Sequence, residues 1–170
     1  MALCEGRAGN APVARGDAVH IGLDDPLKPD VAGLLEAHGR FTAEHSPPGT
    51  CHRLDAHGLA RPEITFWTAR DETGAVLGCI ALKALGEGRG EIKSMHVAAD
   101  RRGKGVARAL VQAVIEEARG RGYTWLGLET GRSDGFAPSR ALYARMGFEP
   151  CPPFGDYLPE TFSYCMSRTL

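Results

Sequence analysis

The residues of this chain best suited to chemistry lie in one turn, Val97-Ala98-Ala99-Asp100-Arg101-Arg102-Gly103-Lys104-Gly105-Val106-Ala107. Gly103 and Gly105 allow a tight turn and leave backbone N–H groups unshielded by a Cβ. A helical pattern follows at once: Val106, Leu110 and Val114, then Val111, Ile115 and Ala118, recur at spacings of three or four. The first N–H groups of such a helix lack intrahelical acceptors and sit at its positive end. With Arg101, Arg102, Lys104 and Arg108 around it, the turn suits an anion held mainly by backbone, a phosphate above all. The same residues would also serve as a solvated basic turn that starts a helix.

The elements that must position this turn surround it in a readable order. Glu91–Val97 reads as the strand that feeds it, after Ile64–Ala69 and Ala75–Lys83, which are joined by the turn Asp71-Glu72-Thr73-Gly74. These three strands form an expected antiparallel meander. Tyr123–Glu129 is the next strand and, with a helix intervening, should run parallel to its predecessor. Pro138 to Met146 reads as a helix stopped at Gly147, and Phe148–Pro150 and Tyr164–Ser167 are the last strands. Upstream, Asp17–Leu23 alternates like a strand. Asp25-Pro26 opens a helix with Leu27, Val31, Leu34 and Leu35 on its apolar face, and Ser46-Pro47-Pro48-Gly49 breaks the chain. The fold class expected is α/β (α+β), a mixed and mostly antiparallel sheet flanked by helices. Residues 1–15 lack periodicity and read as a disordered tail; residues 16–170 read as one domain.

Composition narrows the function. A net charge of −1 leaves no surplus of Lys and Arg for counterion release, so nucleic-acid binding is not expected. No apolar run approaches the ~20 residues of a membrane span, and the first residues lack a basic segment followed by an apolar core. The five cysteines, Cys4, Cys51, Cys79, Cys151 and Cys165, include no Cys-x-x-Cys pair; reduced thiols in a cytoplasmic protein are expected. His52 and His57, with Asp55 between them, read as surface residues, and no metal is expected.

Arg102-Gly103-Lys104-Gly105-Val106-Ala107 resembles the Arg/Gln-x-x-Gly-x-Gly/Ala signature of the Gcn5-related N-acetyltransferases. Ala141-Leu142-Tyr143-Ala144-Arg145-Met146-Gly147-Phe148 is similar to the family's Leu-Tyr-x-x-x-Gly-Phe segment, and the element order is the family's order from about residue 17 onward. Gly90–Met95, Leu128–Gly131 and Pro153–Tyr157 resemble small bacterial members. The resemblance implies acetyl-CoA as co-substrate, its pyrophosphate on Arg102, Gly103, Lys104, Gly105, Val106 and Ala107. It also implies that backbone N–H groups at Met95, His96 and Val97 polarise the acetyl carbonyl and pair with the pantetheine arm. The expected reaction is direct attack by an amine of a small molecule or peptide in a ternary complex, with a non-catalytic acyl-CoA-binding regulatory module as the alternative. Pairing of two sheets into a homodimer is a family expectation only. One departure is Phe136, which stands where many members carry Asn.

Such a reaction needs a base and an acid. Deprotonating an alkyl ammonium of pKa near 10.4 at pH 7 costs about 4–5 kcal/mol. Glu91, at the start of the strand feeding the loop and where some members place a catalytic Glu, is the leading base; Glu129, at the end of the neighbouring strand, is the second. Tyr143 is the candidate acid, since a phenol of pKa near 10 can reprotonate a thiolate. The alternatives are solvated carboxylates at strand ends and a packed helix aromatic. Under regular alternation Lys93 and His96 would point to opposite faces of their strand unless a bulge intervenes. Trp67 and Trp125 read as core. Asp134, Asp156 and Tyr157 lie in late loops that either shape an acceptor pocket or are merely solvated.

Overall fold

The computed structural model describes residues 18–159 and 162–170. The tail expected at 1–15 lies outside the described residues. Strand β1 is His20–Leu23, followed by helices α1 (Pro29–His45) and α2 (Ala56–Leu59). Strands β2 (Ile64–Arg70), β3 (Val76–Gly86) and β4 (Arg89–Val97) form the antiparallel meander, and helix α3 (Val106–Gly120) crosses to β5 (Trp125–Gly131). Helix α4 (Ala137–Arg145) and strands β6 (Glu149–Pro150) and β7 (Ser163–Thr169) complete a seven-stranded mixed sheet of order β1-β2-β3-β4-β5-β7-β6. Among the described strands only β4 and β5 pair in parallel, as the intervening helix requires.

The two faces of the sheet bury different helices. Trp67, Ile80, Leu82, Leu126 and Leu128 pack with Val106, Leu110, Val114 and Ile115 of α3 and with Tyr143 of α4. On the other face Phe66, Cys79 and Ala81 pack against Val31 and Leu34 of α1 and Leu59 of α2. The alternation of each strand thus divides its side chains between two cores.

Helix α1 starts later than the Asp25-Pro26 signal suggested. Leu27 N–H donates to Asp25 Oδ1 and Lys28 N–H to the Asp25 carbonyl, so these residues form a turn and Pro29 takes the first helical turn. Leu27 is consequently exposed, not part of the apolar face. Below it, Asp24 accepts bonds from Thr68 Oγ1 and from Arg70 Nε and NH2, fastening the entry to α1 onto β2. Trp125 also departs from expectation: it lies at the sheet margin, with the Arg89 guanidinium 4.1 Å from its ring centre.

The feature that shapes the centre of the molecule is a bulge in β4. Cys79 pairs with His96 and Ala81 with Lys93, so Ser94 and Met95 together face the single residue Ile80. Ser94 takes a left-handed φ of 50° to accommodate the extra residue. Cys79 and Ala81 share a face, and so therefore do Lys93 and His96, contrary to regular alternation. The parallel ladder between β4 and β5 stops at Ile92 and Leu128. Beyond that point the strands part.

Candidate active site

The gap between the parting strands opens into a cleft of about 590 Å³. Its walls include Met95, His96 and Val97 of β4, Glu129 and Gly131 of β5, His38 and Phe41 of α1, the loop before α3, and Tyr143 of α4. At one end stands the α3 N-terminus. Gly103 and Gly105 have φ of 75° and 86°, conformations that strain any residue with a Cβ, and Gly105 is the N-cap with no side chain capping the helix. A Cβ at either glycine would meet nothing within 4 Å, so the turn is open to a ligand. Arg102 bridges the loop to both neighbouring layers: its Nε donates to the Val97 carbonyl at 3.3 Å, and its guanidinium stands 5.6 Å from the Phe41 ring centre. Uncapped amides, two positive-φ glycines and a ring of arginines fit a diphosphate. Of the residues expected to hold it, Arg102, Gly103, Gly105, Val106 and Ala107 line the cleft; Lys104 is exposed and lies off its wall.

The two carboxylates proposed as bases have separate surroundings. Glu91 is buried and does not line the cleft. Its Oε1 accepts from Lys93 Nζ at 2.9 Å and from the Tyr157 hydroxyl at 2.5 Å, and Lys93 Nζ is also 2.8 Å from that hydroxyl. Burial, and then the charge of Glu91, push the Tyr157 phenol well above its ordinary value. Glu129 by contrast faces the cleft. Burial raises its carboxyl to about 7, against the lowering effect of a bond from Ser163 and the charge of Lys93. Tyr143 also borders the cleft; burial raises its phenol, so it stays protonated at neutral pH.

Sequence reasoning missed the α1 wall. His38 Nδ1 lies 3.3 Å from His96 Nδ1, and burial holds both rings neutral, His38 down to about 3 and His96 to about 4. Any positive charge on His96, and that of Arg53, would reinforce the effect on His38, and Arg102 reinforces that on His96. Phe41 lies edge-on to Phe136 at 5.4 Å and to His45 at 4.5 Å. The spacing His38, Phe41, His45 continues the helical stripe Val31, Leu34, which could have revealed the face. Tyr157 belongs to the buried network, whereas Asp134 and Asp156 are exposed. Among the described residues no group of three His, Cys, Asp or Glu is placed to hold a metal, and no helix is long and apolar enough to cross a membrane.

A bulged strand parting from a parallel neighbour beside an uncapped, glycine-led helix is the architecture of an acyl-CoA-dependent acyltransferase. Residues 32–148 match the acetyltransferase (GNAT) family, and the chain belongs to that family. It is 43% identical over 152 residues to the uncharacterized N-acetyltransferase YsnE of Bacillus subtilis strain 168, covering 89% of this chain and 100% of the relative. It is 38% identical over 153 residues to an IAA acetyltransferase of Azospirillum brasilense, covering 89% and 98%. Among solved structures, the PaiA N-acetyltransferase of Thermoplasma acidophilum in complex with coenzyme A superposes with a TM-score of 0.68 over 90% of this chain and 99% of that one; at 12% identity the likeness is one of fold. The protein is an acetyltransferase, and acetyl-CoA-dependent acetyl transfer is its class of reaction.

Proposed function

We propose that the protein transfers the acetyl group of acetyl-CoA to the primary amine of a small molecule or peptide by direct attack in a ternary complex. The observation that carries this reading is the position of Glu129: a carboxyl raised to about 7 on the wall of the cleft that the uncapped start of α3 also borders. Acetyl-CoA, when bound, supplies an activated thioester. The backbone of Arg102–Ala107 holds its diphosphate, and the cleft-facing edge of β4 from Met95 to Val97 offers N–H groups to its carbonyl. Glu129 accepts the proton that the amine must shed to become nucleophilic, a role that suits a carboxyl titrating near neutral pH. The protonated Tyr143 phenol donates to the departing sulfur. Glu91 acts one step back, holding Lys93 and Tyr157 in place and through Lys93 setting the charge that Glu129 faces.

The free thiols among the described cysteines, Cys51, Cys79, Cys151 and Cys165, support a reducing, cytoplasmic setting. The test is thiol release from acetyl-CoA with a panel of amines, in the wild type and in Glu129→Gln, Glu91→Gln and Tyr143→Phe. A loss of kcat of at least 100-fold in Glu129→Gln, with acetyl-CoA affinity unchanged, is the expected result. Retained turnover there, with loss in Glu91→Gln instead, would transfer the base role to Glu91.

A further inference from the structure

The half of the cleft beyond Glu129 contains more than a base requires. Gly131 lies two residues further along β5 and shares the face of Glu129. A Cβ at Gly131 would stand 2.3 Å from Phe136 Cδ2 and 2.5 Å from Phe162 Cε1, so the missing side chain lets two rings lie directly against the strand. Phe136 and Phe162 are 6.2 Å apart between centroids, and Phe41 closes on Phe136 from α1. His96, whose ring centre is 6.1 Å from that of Phe41, and its neighbour His38 complete the wall as uncharged imidazoles. Their Nδ1 contact admits one proton, so one ring keeps an N–H and the other a bare nitrogen at its Nε2 position. The wall is therefore aromatic, bordered by two uncharged imidazoles.

The charges bordering the cleft exclude some amines. Glu129 is the only carboxylate lining it among the described residues; Arg102 and Arg108 border the diphosphate end, and Lys93 is bonded to Glu91. A linear polyamine would bring two or more further cations to a wall that offers no second carboxylate. Two residues of extended strand separate Glu129 from Gly131, about 6.6–6.8 Å. That distance matches a ring joined to its nitrogen through a short carbon arm. We propose that the acceptor is a primary amine carried on a planar aromatic ring by a short alkyl arm, its ring held by Phe41, Phe136 and Phe162 and its nitrogen delivered to Glu129.

This proposal rests on the amine-acetylation reading above, and the experiment separates the two. Thiol release is measured with saturating acetyl-CoA and 2-phenylethylamine, n-butylamine or spermidine, and acetyl-CoA binding is measured by calorimetry. The expected kcat/KM for 2-phenylethylamine is at least tenfold above that for either other amine. Phe136→Leu and Phe162→Leu keep an apolar side chain while removing a ring; each should raise the KM for 2-phenylethylamine about tenfold and leave acetyl-CoA binding unchanged, with the far-ultraviolet circular dichroism of a folded protein. Equal turnover of the aryl and alkyl amines, or preference for spermidine, would overturn the proposal and leave the amine reaction intact. Acetyl-CoA binding without turnover of any amine would overturn both.

Discussion

The hydroxyl of Tyr157 donates to Glu91 Oε1 at 2.5 Å, joining the connection between β6 and β7 to the middle of the sheet. Lys93 Nζ bonds both groups, so three polar side chains satisfy one another in a buried place. Tyr157→Phe removes one neutral donor and should lower stability by about 1 kcal/mol. Glu91→Ala leaves the Lys93 ammonium without its bonded carboxylate and should cost about 3 kcal/mol or more. Chemical denaturation of both variants checks the order; a Tyr157→Phe change as large as that of Glu91→Ala would contradict it.

Glu129 links activity and stability with opposite signs. Its carboxyl, raised to about 7, accepts a proton from the amine only when ionised, so kcat/KM should climb as pH rises through about 7. The folded protein binds this proton more tightly than the unfolded chain does, so the buried charge costs stability above pH 7 and none below the ordinary carboxylate value of about 4.3. Glu129→Gln should therefore melt higher than wild type at pH 8 and about the same at pH 3.5, while losing activity. Melting curves at the two pH values settle the sign.

The histidine pair contributes in the contrary direction. His38 and His96 are held down to about 3 and 4, so across the window from about 6.5 toward 4 the unfolded chain takes up protons that the folded one refuses. Their contribution to stability is present above pH 6.5 and lost as pH falls. His96→Phe should flatten the acid side of the stability curve in that window. A curve of wild-type slope would show that the rings titrate normally.

Gly105→Glu should abolish acetyl-CoA binding. The position has φ of 86°, which costs an L-residue about 1–2 kcal/mol, and the new carboxylate would stand where the diphosphate belongs. Calorimetry should register no heat, with the far-ultraviolet circular dichroism of a folded protein. Undiminished binding would remove the loop from the site.

Much of this organisation could be read from residue order because it is local. The strand, the glycine turn and the α3 stripe lie within thirty residues of one another, and the helix between β4 and β5 dictates their parallel pairing. The β4 bulge had no such signal: Ser94 carries the positive φ that a glycine would have announced. The bond between Glu91 and Tyr157 had no local signal either, because the two lie 66 positions apart. The buried histidine pair had no local signal either, since its two rings come from α1 and β4. The start of α1 was misplaced because Asp25 and Pro26 suit a turn as well as a helix entry.

From Lys93 to Val97 one margin of β4 has no β5 neighbour, so the sheet is short of a rung where the cleft begins. Recognition written in main chain is indifferent to which side chains decorate it. Alanine at Met95 would leave its backbone N–H in place, whereas proline there, by erasing that single N–H, would be felt at once. Relatives could thus exchange nearly every side chain here and still grasp the same extended tether, leaving the opposite wall to diversify.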